Sequence, residues 1–273
     1  MSEPWVDKTR RPYCRGDTAY VPVFEGFPFD EEIPERIPYK GHGYQKLGDT
    51  ILIHGEITDD ELVKIIEWEK PACVLQSCSH EGVMRIPCTK VLLGTPHDVT
   101  FCEAGISYTM NPSKVMFSQG NRNEKLRIRS LISHGERIAD MFAGIGYFTL
   151  SAALAGGEVH AMEINPDSYE YLLKNISLNN LKNIRAEPGD CRNLLDGVYD
   201  RILMGHFDAP DFLENALKHV HIGTVLHVHG LGERSSEILK TVDNAGFSCE
   251  ITERVVKKYS ANLNHNVWDV KIV

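Results

Sequence analysis

The chain of 273 residues lacks a long hydrophobic run and a signal-like amino terminus. No apolar stretch approaches the roughly 20 residues that a membrane-spanning helix needs. The first residues are polar and basic, unlike the apolar core of a secretory signal. We therefore expect a soluble cytoplasmic protein that has no membrane contact.

The sequence also lacks a paired cysteine pattern. Its seven cysteines are odd in number and scattered, and no two of them are separated by two residues. Disulfide frameworks and zinc sites both need regular cysteine spacing. Cys73 and Cys78 are too isolated to form a zinc site, so we predict reduced thiols and no metal.

The sequence also has fewer basic than acidic residues. The chain has 38 acidic and 29 basic side chains, a net charge of −9, which argues against a broadly basic surface. A local patch nevertheless sets affinity for phosphates more than the total charge does. Basic residues cluster at residues 8–15, 122–129 and 254–258. Each cluster is either a solvated face or a contact for nucleic acid.

What is present from residue 137 onward is a regular alternation of strands and helices. Apolar runs predict strands at residues 137–141, 158–163, 184–186, 199–204 and 224–229. Helices are predicted at residues 147–155, after the Asn165–Pro166 cap, and at 211–218 and 235–245. A strand pair, 248–256 with 267–273, follows. This order predicts an α/β Rossmann-like fold, a parallel sheet with a terminal antiparallel strand.

The preceding residues predict a different organisation. Residues 1–40 are rich in proline and read as an irregular extension. Residues 41–112 predict a small, mostly β domain of the α+β kind, and residues 113–136 a linker and helix that lead into the Rossmann-like domain, 137–273. In the small domain we predict one helix, opened by a Thr58–Glu61 capping box. Its strands are predicted at residues 44–53, 73–76, 91–93, 99–103 and 106–110.

The glycine turn after the first strand of the alternating region indicates the ligand. Asp140 ends that strand, and Gly144 and Gly146 allow a tight turn against a ligand. A dinucleotide site needs a third glycine, but Phe148 and Thr149 follow instead. Asp140 would repel a pyrophosphate and would suit the positive end of S-adenosylmethionine. The turn therefore favours S-adenosylmethionine.

Two further acidic residues follow the next two strands. Glu163 stands where a carboxylate accepts hydrogen bonds from ribose hydroxyls. Its alternative role is a partner for the helix dipole beside Asn165. Asp190 stands where a carboxylate accepts from an adenine amino group, and its alternative role is that of a turn aspartate.

These motifs, taken together, resemble a family of enzymes that modify guanosine 37 of tRNA in archaea and eukaryotes. The matching stretches are residues 140–148 (DMFAGIGYF), 163–166 (EINP) and 114–121 (KVMFSQGN), with Glu124 and Arg127. The resemblance covers about residues 44–273. That superfamily contains guanine-N1 methyltransferases and the aminocarboxypropyltransferases of wybutosine synthesis, and it implies the fold of S-adenosylmethionine-dependent methyltransferases.

The loop after the fourth strand of the Rossmann-like sheet separates the two branches. The methyltransferase branch has an Asn-x-Pro-type motif there, whereas this chain has residues 204–210 (MGHFDAP). Met-Gly before an aromatic residue, with His227 and His229 nearby, resembles the aminocarboxypropyltransferases. Asp208 and Pro210 keep methyl transfer open, although they also suit a helix cap before Asp211. The two histidines either line the site or are hydrogen-bonded core residues.

The resemblance implies a reaction and a set of site residues. We expect transfer of the 3-amino-3-carboxypropyl arm of S-adenosylmethionine to C7 of 4-demethylwyosine at position 37 of tRNA-Phe, by a monomer. The rival hypotheses are a guanine-N1 methyltransferase that uses Asp208 for proton removal and a non-catalytic protein that binds S-adenosylmethionine or tRNA. Predicted catalytic residues are His206 and Asp208. Predicted cofactor-binding residues are Ser118, Lys125, Asp140, Phe142, Gly144, Glu163, Asp190 and Cys191. Predicted tRNA-binding residues are Arg122, Arg127, Arg129, Lys257 and Lys258.

Overall fold

The computed structural model describes residues 3–7, 9, 12–15, 18–32, 39–82, 84–117, 121–260 and 262–273. The chain forms two compact units, residues 1–40 and residues 41–273. The first unit is not wholly irregular. It contains a short antiparallel pair of strands, Tyr13–Arg15 (β1) and Thr18–Tyr20 (β2).

The second unit begins with a four-stranded sheet. Its strands, in spatial order, are Tyr44–Leu47 (β3), Thr50–His54 (β4), Cys73–Glu81 (β5) and Ile86–Leu93 (β6). The single strand that we predicted over residues 44–53 is two strands, because the chain reverses at Gly48, whose φ is +58°. Helix α1, Asp59–Glu69, begins at the predicted Thr58–Glu61 capping box and joins β4 to the parallel strand β5.

A separate hairpin and a helix follow. Val99–Glu103 (β7) and Ile106–Met110 (β8) pair antiparallel, and helix α2 spans Arg122–Leu131. The hairpin shares a buried apolar cluster with the segment around the glycine turn, which includes Tyr108, Phe117, Ile145 and Leu150. This cluster brings residues that precede α2 against the predicted ligand site.

A seven-stranded sheet forms the rest of the unit. Its order is β11-β10-β9-β12-β13-β15-β14; β9 to β13 run parallel, and β15 and β14 pair antiparallel at one end. The predicted α/β Rossmann-like fold is confirmed. The strands are Arg137–Asp140 (β9), Glu158–Glu163 (β10), Ile184–Pro188 (β11), Arg201–Met204 (β12), Val225–Leu231 (β13), Cys249–Ser260 (β14) and Leu263–Ile272 (β15).

Five helices accompany this sheet in the described part of the chain. They are Thr149–Leu154 (α3), Pro166–Leu178 (α4), Cys191–Leu194 (α5), Leu213–Ala216 (α6) and Ser235–Asn244 (α7). The helix predicted over residues 211–218 is broken into α6 and short 3-10 turns on either side of it. None of the helices in the described residues is long and apolar enough to cross a bilayer.

The order of the strands locates the ligand crevice. From β9 the chain proceeds to β10 and β11 on one side, and it returns to β12 on the other side. In open α/β sheets, ligands bind at the carboxyl ends of the strands where the order reverses in this way. The predicted turn, which follows β9, therefore lies at the expected place.

Asn175 on α4 connects the hairpin to that turn. Its side chain is fully buried; Oδ1 accepts from the backbone N–H of Thr109 at 2.7 Å, and Nδ2 donates to the carbonyl of Ile145 at 3.0 Å. A buried backbone group that loses its partner keeps its full desolvation cost. One amide thus fixes β8 relative to the glycine turn.

We expect Asn175→Ala to lower the free energy of unfolding by about 2–4 kcal/mol, because it leaves two buried backbone groups unpaired. Urea denaturation measures this change. Ser177→Ala, at an exposed position of the same helix, is the matched control and should change the free energy by less than about 0.5 kcal/mol. An equally small effect of Asn175→Ala would contradict the role of the amide.

Candidate active site

The two glycines of the turn are required by its geometry. Gly144 has φ +57°, and a Cβ there would lie 2.4 Å from the ring of Tyr147. Gly146 has φ +102°, and a Cβ there would lie 2.8 Å from the side chain of Leu150. Any other residue would be strained at either position and would collide with its neighbour. The backbone can turn this tightly only with glycine.

Glu163, at the end of β10, is bonded directly to the turn. Its Oε2 accepts from the N–H of Gly144 at 2.6 Å, and its Oε1 accepts from the N–H of Asn165 at 2.7 Å. Burial raises the pKa of Glu163, and these two backbone donors oppose the shift. A carboxylate oxygen has more than one lone pair, so both oxygens can still accept from another donor.

Asp140 ends β9, as predicted, but its side chain faces the protein interior. The side chain is wholly buried, where it accepts from the hydroxyl of Thr149 at 2.7 Å and from the N–H of Phe142 at 3.3 Å. Burial raises the pKa of Asp140 to about 6. A carboxylate buried within its own turn organises that turn, and this argues against the predicted direct contact with a ligand.

An aromatic wall stands beside the turn. The ring of Phe142 stacks on His206 with centroids 5.3 Å apart, and it meets Phe212 edge to face at 5.1 Å. The N–H of Asp208 donates to Nδ1 of His206, which assigns the proton of the neutral ring to Nε2. Among the described residues, that buried Nε2 has no hydrogen-bond partner. Burial, together with Arg85, lowers the pKa of His206.

Asp208 lies next to His206 but is mostly exposed. Its Oδ2 is 3.6 Å from Nδ1 of His206. The alternative role as a helix cap is only partly met, because the backbone carbonyl of Asp208 accepts from Asp211 while the side chain makes no cap hydrogen bond. The structure therefore brings the two predicted catalytic side chains together.

Asp190 and Cys191 follow β11, where the sequence predicted the adenine contacts. The side chain of Asp190 accepts from the N–H of Arg192 at 2.9 Å and from its guanidinium, which fits the alternative role as a turn aspartate. The guanidinium in turn lies 4.9 Å from the centre of the Phe212 ring. Cys191 is buried in the core, and burial raises the pKa of its thiol.

Lys125 lies in an aromatic pocket. Its ammonium forms an ion pair with Glu103 and lies 4.6 Å from the ring centre of Phe117 and 5.8 Å from those of Tyr108 and Tyr147. Only 2% of the side chain is exposed. Burial lowers the pKa of Lys125, and Glu103 opposes the shift. Ser118, predicted as its neighbour in the site, lies outside the described residues.

Glu103 carries a further feature of this region. Within the described residues, neither its Oε1 nor Oδ1 of Asn121 has a hydrogen-bond partner, although both atoms are buried. Glu103 and Phe117 also line a cavity of about 540 Å³. A ligand group that donates hydrogen bonds, such as an ammonium group, would satisfy buried oxygens of this kind.

Arg127, a predicted tRNA contact, is paired with two carboxylates. Its guanidinium donates to both oxygens of Glu124 and to both oxygens of Asp269, at 2.7–3.0 Å. These bonds raise the pKa of Arg127 further above its ordinary value, although burial alone would lower it. A half-buried guanidinium paired with two carboxylates fixes α2 to the sheet.

The other predicted tRNA contacts differ in exposure. Arg122 and Lys258 are exposed, and Lys257 is half-buried. Arg129 is half-buried and donates to the carbonyl of Ala104 at 3.2 Å. Arg122 and Lys257 both help to lower the pKa of Lys125, so basic side chains of α2 and of β14 lie near Lys125.

The two histidines of β13 are hydrogen-bonded core residues. His227 makes bonds of 2.6 Å to Asp269 and to Arg201, and Nδ1 of His229 lies 2.9 Å from Nε2 of His265. Burial lowers the pKa of His229 to about 3. Of the two roles left open by the sequence, the structure supports the structural one. In the described residues, no group of three or more acidic, cysteine or histidine side chains is arranged to hold a metal.

Sequence reasoning missed several residues of this site. Arg85, from the turn between β5 and β6, lies with its guanidinium 4.9 Å from the centre of the Phe207 ring. The same ring meets His265 edge to face at 4.9 Å. These residues are far apart in the chain, and no spacing in the sequence connects them; only the aromatic residue after His206 was a visible signal.

Comparison with known proteins identifies the family. The chain matches the TRM5/TYW2 methyltransferase domain over residues 99–255. It is 34% identical over 244 residues to the tRNA(Phe) (4-demethylwyosine(37)-C(7)) aminocarboxypropyltransferase of Methanocaldococcus jannaschii, a match that covers 85% of this chain and 98% of the relative. The chain belongs to the TRM5/TYW2 methyltransferase family. The resemblance inferred from residues 114–121, 140–148 and 163–166 is therefore confirmed.

Solved structures of the TRM5/TYW2 family share the fold. M. jannaschii TYW2 in complex with AdoMet is similar with a TM-score of 0.68 at 26% identity, over 84% of this chain and 99% of that one. Trm5b from Pyrococcus abyssi is similar with a TM-score of 0.75 at 25% identity, over 98% of this chain and 92% of that one. The Rossmann-like methyltransferase fold is thus common to both branches of the TRM5/TYW2 family.

We expect Glu163→Ala to weaken binding of S-adenosylmethionine about 10- to 100-fold, because hydrogen bonds to a charged group contribute about 1.5–3 kcal/mol. Titration calorimetry measures the affinity. Glu158→Ala, at the exposed start of the same strand, is the control and should bind like the wild type. Unchanged affinity in Glu163→Ala would refute the ribose role.

Asp140 should make the stability of the ligand-free protein depend on pH. Because its folded-state pKa, about 6, lies above the ordinary value of 3.8 for aspartate, the folded state binds the proton more tightly and loses stability as the pH rises from about 4 to 6. The loss approaches about 3 kcal/mol, at 1.36 kcal/mol for each pKa unit.

The measurement is urea unfolding between pH 4 and 7 for the wild type and Asp140→Asn. The asparagine variant should lack this fall in stability. Asp243→Asn, at an exposed position of α7, should follow the wild type. Parallel curves for the wild type and Asp140→Asn would contradict the raised pKa.

Proposed function

We propose that this protein transfers the 3-amino-3-carboxypropyl group of S-adenosylmethionine to C7 of 4-demethylwyosine at position 37 of tRNA-Phe, with release of methylthioadenosine. The observation that carries the proposal is the match to the aminocarboxypropyltransferase of M. jannaschii, which spans 98% of that enzyme. The glycine turn and Glu163 are the groups that we expect to bind S-adenosylmethionine. The enzyme is an S-adenosylmethionine-dependent transferase.

The nucleoside end of S-adenosylmethionine fits the crevice beside the turn. Glu163, whose two oxygens are already aligned by Gly144 and Asn165, would accept from the ribose hydroxyls. Phe142 would provide an apolar face for the adenine, and Asp190 would accept from its amino group. The cofactor supplies a sulfonium with electrophilic carbons, and the site decides which carbon meets the acceptor.

The region around Glu103 suits the amino acid end. Glu103 Oε1 and Asn121 Oδ1 are buried acceptors that lack partners among the described residues, and they would bind the ammonium group. Lys125, which already pairs with Glu103, would face the carboxylate. The ammonium and the carboxylate of the reacting arm would then each meet a protein group of suitable charge or polarity, and the arm would be held at both ends.

The loop after β12 would contact the base that accepts the transferred group. His206 is neutral near pH 7, because burial lowers its pKa, and its unpaired Nε2–H is available to the edge of a base. An electron-rich ring carbon needs no strong general base, in agreement with a loop that has no Asn-x-Pro motif. The main roles of the chain are therefore positioning and exclusion of water.

Methyl transfer to guanine N1 is the second candidate. It is favoured by the similarity to Trm5b, and Asp208, which lies 3.6 Å from His206 in the loop after β12, would remove the proton from N1. Its weakness is the exposure of Asp208, which leaves the carboxylate largely in water. A protein that binds S-adenosylmethionine or tRNA without catalysis is the third candidate.

The tRNA partner would bind where positive charge is concentrated. Arg122, Lys257 and Lys258 lie on α2 and β14, and we propose that they contact phosphates of the anticodon loop of tRNA-Phe; Arg129 is a further candidate. Binding through phosphates makes affinity fall with salt. The active species would be a monomer in the cytoplasm.

The by-product decides between the candidates. With S-adenosylmethionine and tRNA-Phe that bears 4-demethylwyosine, we expect methylthioadenosine, because the arm is transferred in place of the methyl group. Liquid chromatography with mass spectrometry distinguishes it from S-adenosylhomocysteine. The Glu163→Ala variant is the negative control.

Formation of S-adenosylhomocysteine with tRNA that carries guanosine 37 would instead support methyl transfer. If neither product forms although calorimetry shows cofactor binding, both enzymatic hypotheses are wrong. A binding role would then remain.

A further inference from the structure

The hairpin of β14 and β15 reaches the edge of the sheet at which the ligand crevice lies. Strand β13 ends at Leu231, opposite His265 of β15, and the hairpin extends past that point, from Lys258 to Leu263. Because β15 runs antiparallel to β13, it begins at the carboxyl ends of the parallel strands. The tip of the hairpin therefore lies at the same edge of the sheet as the glycine turn.

A β-bulge shapes this tip. From Lys258 to Ser260 the pairing advances by two residues in β14 but by one residue in β15, so Tyr259 is an extra residue of its strand. A bulge bends its strand and re-aims a side chain, and bulges are frequent next to active sites. Here the ring of Tyr259 meets the ring of Phe207 edge to face, with their centroids 5.3 Å apart.

Tyr259 leaves much of its side chain in solvent, with an exposed fraction of 52%. The preceding residue, Lys258, is exposed, and Lys257 before it is half-buried. An exposed aromatic ring next to cationic side chains is the combination by which proteins bind unpaired nucleotides, because the ring stacks on a base while the cations meet phosphates. The tip of the hairpin thus has the chemistry of a contact for single-stranded RNA.

The position of β14 separates this contact from the base that reacts. The sheet order places β12 next to β9, whereas β14 lies three strands beyond β12. The reacting base must reach the cofactor beside the glycine turn, which follows β9. A base on the ring of Tyr259 lies further out along the sheet, so it belongs to a neighbouring nucleotide.

We propose that Tyr259 stacks on a base adjacent to position 37 in the anticodon loop and that Lys258 contacts the phosphate of the same nucleotide. The inference rests on the proposed function, which brings position 37 to the crevice. A base that leaves the stack in order to react removes stacking from its neighbours, and this extrusion costs free energy. The ring of Tyr259 replaces the lost contact, and it thereby stabilises the opened form of the loop.

The test is a double-mutant cycle between the protein and the tRNA. Fluorescence anisotropy gives the affinity of the protein, saturated with S-adenosylhomocysteine, for tRNA-Phe with 4-demethylwyosine, either intact or with an abasic residue at position 36 or 38. We expect Tyr259→Ala to weaken binding of the intact tRNA about tenfold, as the loss of a base–aromatic stack does. For the tRNA that lacks the stacked base, the same substitution should change the affinity less than about twofold, because groups in contact are not additive.

Further variants separate the ring from the other properties of the side chain. Tyr259→Phe keeps the ring and should bind like the wild type, whereas Tyr259→Leu keeps apolar volume and should bind as weakly as Tyr259→Ala. Val255→Ala removes an exposed apolar side chain from the same strand and should leave the affinity unchanged. Affinity for S-adenosylmethionine should be the same in all variants, and thermal melting should show that they are folded. If Tyr259→Ala does not fold, Tyr259→Leu decides.

Two results would overturn the inference. The same change of affinity in Tyr259→Ala for the intact tRNA and for both abasic tRNAs, whether large or absent, would mean that no adjacent base stacks on the ring. Coupling to an abasic residue at position 37 alone would place Tyr259 against the reacting base instead. Failure of the proposed function is seen separately, when the wild type forms no methylthioadenosine, because the cycle measures binding and needs no turnover.

Discussion

The carboxylate of Glu163 is the interaction on which the site depends. It accepts one backbone N–H from the glycine turn after β9 and another from the cap of α4 after β10. Two neighbouring strand ends are therefore joined by one side chain. Because the same carboxylate is also the expected ribose ligand, the site is already arranged before the cofactor binds. Asn165 extends this arrangement to Met84, in the turn between β5 and β6.

A second network fixes α2, which carries Lys125 and Arg122. Arg127 pairs with Glu124 and Asp269, and Asp269 is bonded in turn to His227. Breaking a buried ion pair by removing one partner is costly, because it leaves an uncompensated charge. The network thus gives an arginine of the basic cluster a structural role. The desolvation of Arg127 is opposed by its hydrogen bonds and its attraction to Glu124 and Asp269.

The alternating strands and helices, the glycine turn and the family were all predictable, because each depends on residues close together in the chain. Gly144, Glu163 and the Asn165 cap are examples. The partners of Asp140 and Arg127 were not predicted, since residue type does not reveal whether a charged group is buried by distant partners. The contacts of Arg85 and His265 with Phe207 could not be predicted, because only tertiary packing brings these residues together. The break at Gly48 was missed, as a glycine within an apolar run fits either a strand or a turn.

The contact between Arg127 and Asp269 joins positions 142 residues apart, and it has a kinetic consequence. Asp269 lies on β15, which is inserted between β13 and β14. Contacts of such high sequence separation form slowly, because the loop must be closed before the contact stabilises it. Helix α2 therefore gains its anchor only after β15 has entered the sheet. Completion of the catalytic crevice is expected among the late events of folding, after the glycine turn and β9–β11 have formed locally.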